Sequence, residues 1–172
     1  MKIVYYVIFA FWYLLSLLPL KVLYIFSDLL FFPLYYGVKY RRGIVHRNIA
    51  ESFPEKSEKE ILQIERRFYH FFCDYILETI KLFSMSKKQM MKRMTFSGLD
   101  EVKQTLEKEN KKCCFIYLGH YCNWEYVASL QYWLPEIHCG QIYHPLYNKA
   151  FDKLFLRLRG KFGGESIPMK ET

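Results

Sequence analysis

No Cys-x-x-Cys pair occurs in the 172 residues, and the five cysteines (Cys73, Cys113, Cys114, Cys122 and Cys139) are odd in number and unevenly spaced. That excludes the paired framework of a small secreted disulfide domain and fits a reduced compartment for the main body. Cys113, Cys114, His120 and Cys122 lie close enough in sequence to raise the question of a zinc site. Without a Cys-x-x-Cys clip, and with adjacent cysteines pointing to opposite sides of any strand, they read as apolar fillers, and no metal is expected. Acidic residues are scarce: 17 Asp and Glu stand against 25 Lys and Arg, a formal net charge of +8. Such an excess favours an anionic partner, whether phospholipid, nucleic acid or a phosphorylated substrate. The low hydrophobicity of a disordered chain is missing too, since 52% of residues are hydrophobic and 19% aromatic, which leaves enough apolar surface for a core. Rings at that density favour an apolar–polar boundary such as a membrane surface. Nucleic-acid binding would need basic residues interleaved with aromatic platforms on a soluble face; that pattern is absent, and no nucleic-acid partner is expected.

Charge is missing between Lys2 and Lys21, where residues 3–20 form one apolar run of eighteen. This is the lower limit for crossing a hydrocarbon core of about 30 Å, so an N-terminal membrane helix is expected. A second apolar stretch, residues 29–38, comes after Asp28 and contains Pro33; it is too short to span alone and is expected in the interface or re-entering it. Tyr5, Tyr6, Trp12, Tyr13, Tyr35 and Tyr36 give the whole segment an interfacial character. No small-x-small cleavage site comes after it, which speaks against a signal peptide. Lys39, Arg41, Arg42 and Arg47 come next, against Lys2 alone on the other flank, so the positive-inside bias predicts a cytoplasmic body after residue 39. The same cations would attract anionic membrane phospholipid. The division expected is a membrane anchor over residues 1–38 and a catalytic or binding domain over 39–172.

Ser57-Glu58-Lys59-Glu60 has the spacing of a capping box, and Pro54 punctuates the chain before it. Ile61, Ile64, Phe68, Phe71, Phe72, Tyr75, Ile76, Ile80 and Phe83 then recur every three or four residues, predicting one long amphipathic helix with that stripe toward a core. Residues 87–94 read as a short basic helix, and residues 99–110 as another with Leu99, Val102 and Leu106 inward.

The period changes at residue 113. Residues 113–118 are a continuous apolar run and predict a strand buried on both faces, ended by Gly119-His120. Residues 123–134 read as helix, 138–143 as strand and 148–162 as helix with Phe151, Leu154, Phe155, Leu158 and Phe162 on one side, stopped by Gly163-Gly164. The fold class implied is α/β: an N-terminal membrane helix, further helices, and an incomplete, mainly parallel sheet with crossover helices. Ligands of such sheets bind at the carboxyl ends of strands, where His120 is expected. Glu125 stands five residues later in the first turn of the next helix, so a turn would fold its carboxylate onto one imidazole nitrogen and free the other to take a hydroxyl proton. The adjoining helix N-terminus offers amide donors to an oxyanion or phosphate.

Gly119-His120-Tyr121-Cys122-Asn123-Trp124-Glu125 resembles the H-x4-D/E block of the bacterial late acyltransferases of lipid A biosynthesis, including the Asn-Trp-Glu ending. Arg42, Arg47-Asn48, Ser52-Phe53-Pro54, Glu78 and the run Tyr143, Asn148, Asp152 and Arg159 are similar to that family's pattern over essentially the whole chain. The resemblance implies a glycerolipid acyltransferase-like fold, no cofactor, and transfer of a fatty acyl chain from acyl carrier protein to a hydroxyl of a phosphorylated lipid A precursor or related glycolipid at the bacterial inner (plasma) membrane. It makes His120 the base and Glu125 the carboxylate that holds the imidazole, the two catalytic residues. Arg159, Asn123 and Asn148 become substrate-binding residues, Arg159 through phosphate or oxyanion charge. The plainer role for Arg159 is that of a cation at a helix C-terminus, where it is favourable to the dipole in any case. His144 stands where the family commonly has arginine. Family members run well beyond this length and add strands, so the resemblance also implies that these residues are the N-terminal portion of a larger catalytic domain. Two alternatives remain open: a non-catalytic, membrane-anchored remnant or lipid-binding module, and a thiol enzyme pairing Cys122 with His120.

Overall fold

The computed structural model describes residues 2–171, without the side chains of residues 2 and 171. It is mostly helical, with one small parallel sheet. The chain packs as two units, Trp12–Ser84 and Met1–Phe11 with Met85–Thr172.

The expected eighteen-residue apolar run is broken into two helices. Helix α1 (Lys2–Ser16) ends before Pro19, and α2 (Leu20–Phe32) starts after it. Proline has a fixed φ and no N–H, so it starts a helix more readily than it continues one. Among the described residues, the single helix long and apolar enough to cross a membrane is therefore Leu20–Gly37 and not residues 3–20. The second stretch, expected to be too short, gains its length from residues 20–28, which continue it toward the N-terminus in one helix. Its last turn, Pro33–Gly37, is π-helical. Pro33 cannot donate to the ladder, and its carbonyl accepts from Val38 N–H at 2.8 Å, five residues on.

Within Trp12–Ser84, α2 packs along α4 (Glu58–Lys81), and α3 (Arg42–Ser52) packs on α4 as well. The capping box forms as expected, with Glu60 Oε2 accepting from Ser57 N–H at 2.9 Å and from Ser57 Oγ at 2.7 Å. Those bonds hold the Glu60 carboxyl below its usual range. The buried stripe of α4 differs from the expected one: Ile61, Glu65, Tyr69, Cys73, Leu77 and Ile80 are buried, whereas Phe68 and Phe71 are 38% and 39% exposed. The offset arises because a core position is occupied by a carboxylate. Glu65 is fully buried, and it accepts hydrogen bonds from Tyr35 Oη at 2.8 Å and Arg42 Nε at 2.6 Å, while His46 Nδ1 lies 2.8 Å from its other oxygen. The Arg42 guanidinium also lies over the Tyr35 ring at 4.3 Å. Phe31, Tyr35, Tyr69 and Cys73 form the adjoining core, with Leu30, Leu34 and Val45 packed against it. At the far end of α4, buried Lys81 donates to Ser16 O at 2.7 Å and Leu18 O at 2.9 Å, closing carbonyls that the end of α1 leaves open.

In the second unit α5 (Lys87–Arg93) and α6 (Leu99–Lys108) form as expected. Strand β1 (Gly140–Tyr143) pairs in parallel with β2 (Glu165–Pro168), and α7 (Lys149–Gly160) is the crossover between them. Gly163, at φ +91°, turns the chain from α7 into β2. The predicted strand over residues 113–118 does not form: the segment is irregular, and Phe115, Ile116, Tyr117 and Leu118 are 76%, 58%, 93% and 49% exposed. A strand exists only where a neighbour takes up its N–H and C=O groups, and among the described residues β1 and β2 pair only with each other. Without a sheet beneath it, α6 keeps its apolar face partly open, with Val102 at 40% exposure rather than inward. A cavity of about 350 Å³ there is lined by Gly98, Glu101, Val102, Thr105, Leu106 and Cys114.

Burial raises the Glu65 pKa, but the bonds from Arg42, Tyr35 and His46 together outweigh it and leave the group below its ordinary value. A depressed folded-state pKa contributes stability that is present above the unfolded value, about 4.3, and is lost as pH falls through the folded one. Arg42→Ala is accordingly expected to cost about 3 kcal/mol at pH 7 by leaving a buried carboxylate without its cation. The deficit relative to the native chain should shrink in acid, once the pH has fallen through the depressed pKa of native Glu65 and the carboxyl is protonated in both. Urea denaturation in detergent at neutral and acid pH measures it.

Candidate active site

The first anchor of the site is α7. Asn148 caps it, its Oδ1 accepting from Ala150 N–H at 3.0 Å and Phe151 N–H at 3.4 Å. Asp152 Oδ1 accepts from Leu146 N–H at 2.8 Å and ties down the loop that leads in from β1. Leu154, Leu158 and Phe162 are buried, and the Phe162 ring meets Tyr132 edge-on at 5.7 Å. This face docks α7 on the 3-10 helix Trp124–Tyr132, which stands where an α-helix is expected from residue 123.

That packing places Arg159, in the last turn of α7, opposite Glu125, in the first turn of the 3-10 helix. Arg159 Nε donates to Glu125 Oε2 at 3.0 Å and Arg159 Nη2 to Oε1 at 2.7 Å, a bidentate pair that matches a planar fork to a carboxylate. Glu125 is 4% exposed and Arg159 is partly buried, so the pair sits at the edge of water. Both residues are expected in the site from the sequence, but their binding to each other is not foreseen there.

His120 lies two residues before Cys122, in the irregular segment and exposed. Its ring meets Trp124 edge-on at 4.6 Å. Cys122 adopts φ 50°, a left-handed conformation costing on the order of 1–2 kcal/mol for a non-glycine residue. The chain bends at this residue, between His120 and Glu125. Among the described residues no hydrogen bond joins His120 to Glu125, whose two oxygens are taken by Arg159. Asn123 is half-buried at the start of the 3-10 helix, beside Glu125. The structure thus pairs Glu125 with Arg159, leaves Asn123 half-buried two residues before Glu125 and His120 exposed in the irregular segment before it, and gives Asn148 a capping role. The helix-capping habit of asparagine at that position is the signal that foreshadows the last. All five cysteines are free, and the described residues hold no group of three or more His, Cys, Asp or Glu placed to bind a metal.

The chain belongs to the bacterial lipid A biosynthesis acyltransferase family, whose sequence model matches residues 1–172. No match was found among curated proteins or among solved structures.

Exchanging Arg159 for Gln removes the cation from a buried carboxylate, a loss of about 3 kcal/mol. Amide hydrogen exchange over residues 124–130 is expected to accelerate on the order of a hundredfold, with α6 unaffected. Unchanged exchange would show that the pair does not hold this turn.

Proposed function

We propose that this family member transfers a fatty acyl chain from acyl carrier protein to a hydroxyl of a lipid A precursor or related phosphorylated glycolipid, with His120 as the base. The observation that carries the reading is the bidentate pair between Glu125 and Arg159. It joins two of the residues expected in the site, 34 apart in sequence, with the exposed His120 five residues before Glu125, in a chain of the lipid A acyltransferase family.

The exposed imidazole of His120 takes the proton of the acceptor hydroxyl as its oxygen attacks the thioester carbonyl. The tetrahedral intermediate collapses, the carbon–sulfur bond breaks, and the imidazolium returns the proton to the departing thiolate, leaving an ester and a free thiol. In this reading Glu125 releases one of its two Arg159 bonds to face the imidazolium and balance its charge, while the other bond is kept. Arg159 keeps that carboxylate in place and lends guanidinium charge to a phosphate or developing oxyanion. Asn123 orients the turn, and Asn148, which caps the helix that carries Arg159, is the remaining residue assigned to substrate binding. Phospholipid and acyl carrier protein are the other partners in this reading. On the same reading residues 1–38 are the membrane-binding part and residues 39–172 the acyltransferase portion, on the cytoplasmic side, whose anionic leaflet suits the cluster of Lys39, Arg41 and Arg47.

One observation favours a second reading, a membrane-anchored module without catalysis: both Glu125 oxygens face Arg159 and neither faces His120. The two separate in a membrane assay with acyl carrier protein thioester and a lipid A precursor. His120→Ala is expected to lower transfer at least a hundredfold and leave sedimentation with membranes unchanged, and Cys122→Ser is expected to stay active. Near-normal transfer by the alanine variant, or none by the native chain, would overturn the catalytic reading.

A further inference from the structure

The helix Leu20–Gly37 passes the length and hydropathy test for a membrane span, yet its neighbours contradict a crossing. It runs antiparallel along α4 and is fastened to it at three levels. Tyr24 Oη donates to Glu78 at 2.5 Å, the Phe31 ring stacks on His70 at 3.8 Å, and Tyr35 Oη donates to Glu65 at 2.8 Å. Between those levels α4 carries Arg66, Arg67 and Asp74 in addition to Glu65, His70 and Glu78. Turning the pair upright would carry that whole ladder of charges into hydrocarbon, where ionisable groups are tolerated only singly and against protein or water. Asp28 stands at the middle of the apolar window with its side chain 75% exposed, and at the bilayer centre of a crossing helix it would meet acyl chains.

The opposite face of the helix is apolar and open. Ile25, Leu29, Phe32 and Tyr36 recur at helical spacing with Phe26 beside them, and they are between 45% and 61% exposed. Exposed Lys21 stands at one end of this stripe, and exposed Lys39 and Arg41 at the other, suited to headgroup phosphates. In the other unit, independently, the first turns of α1 also carry charge: Lys153 lies over the Tyr5 ring at 4.6 Å and Arg157 over the Phe9 ring at 4.0 Å.

We propose that Leu20–Gly37 lies along a single leaflet of an anionic phospholipid bilayer, with Ile25, Phe26, Leu29, Phe32 and Tyr36 among the acyl chains and α4 on the water side. An amphipathic helix held this way sits about 5–10 Å into the leaflet, parallel to it. The association is monotopic and does not depend on acyl-transfer chemistry at His120.

The test places one genetically encoded fluorescent amino acid at a time at positions 25, 29, 32 and 36 of the full chain. The protein is reconstituted in vesicles of phosphatidylglycerol and phosphatidylethanolamine, and quenching is read from lipids bearing quenchers at graded depths. All four sites are exposed, so the fold should tolerate the probe; circular dichroism checks each variant, and position 26 on the same face replaces any that misfolds. A helix along the leaflet gives four depths agreeing within about one helical pitch, ~5.4 Å. Depths spreading over about 16 Å from position 25 to 36, the rise of eleven residues, would mean a crossing helix and overturn the proposal. So would probes that lipid quenchers do not reach, either because they stay in water or because a second copy of the chain covers the face.

Discussion

A carboxylate moved out of water needs donors and cations to replace its hydration, and Glu65 and Glu125 impose that requirement on the two units of this chain. Glu65 meets it with a tyrosine from the end of the apolar helix, an arginine and a histidine from α3. Two elements, the apolar helix and α3, are thereby fixed on α4 at one point, and the long helix takes its facing from that point. Glu125 meets it with the single guanidinium of Arg159, so α7 and the 3-10 helix share one register. In each case an arginine is present and not a lysine, consistent with a planar donor set that keeps its charge when half-buried.

Much of the helical framework was legible because it is written in local signals. Ser57 and Glu60 mark the start of α4, Asn148 the start of α7, and Gly163 its end, and each works through backbone groups within a few residues. Strand β1 and the helix after it were legible in the same way, but the partner strand Glu165–Pro168 was not, because a four-residue strand is defined by its pairing and not by its own composition. The facing of α4 was not legible. A buried Glu65 counts as a surface residue in any hydrophobic period, and the donors that make it a core residue come from elsewhere in the chain. The same holds for Pro19, whose local rule outweighs an eighteen-residue apolar run when it is read as a helix start and not as one more apolar residue. Residues 113–118 failed differently: their composition suits a strand, but a strand is a property of two segments.

For the candidate site this last point has a structural consequence. A histidine at the end of a buried strand would be positioned by the ladder before it. Here nothing regular precedes His120, and its place is set from the C-terminal side, by the left-handed kink at Cys122, the edge of the Trp124 ring, and the Glu125 carboxylate held by Arg159. The imidazole on this turn is open to solvent, and loops held by a rigid framework are where functional groups are commonly carried. Its freedom is limited to the few residues between His120 and the pair. The arginine that looked in the sequence like a substrate contact therefore does its first work inside the protein, by giving an irregular segment one fixed end.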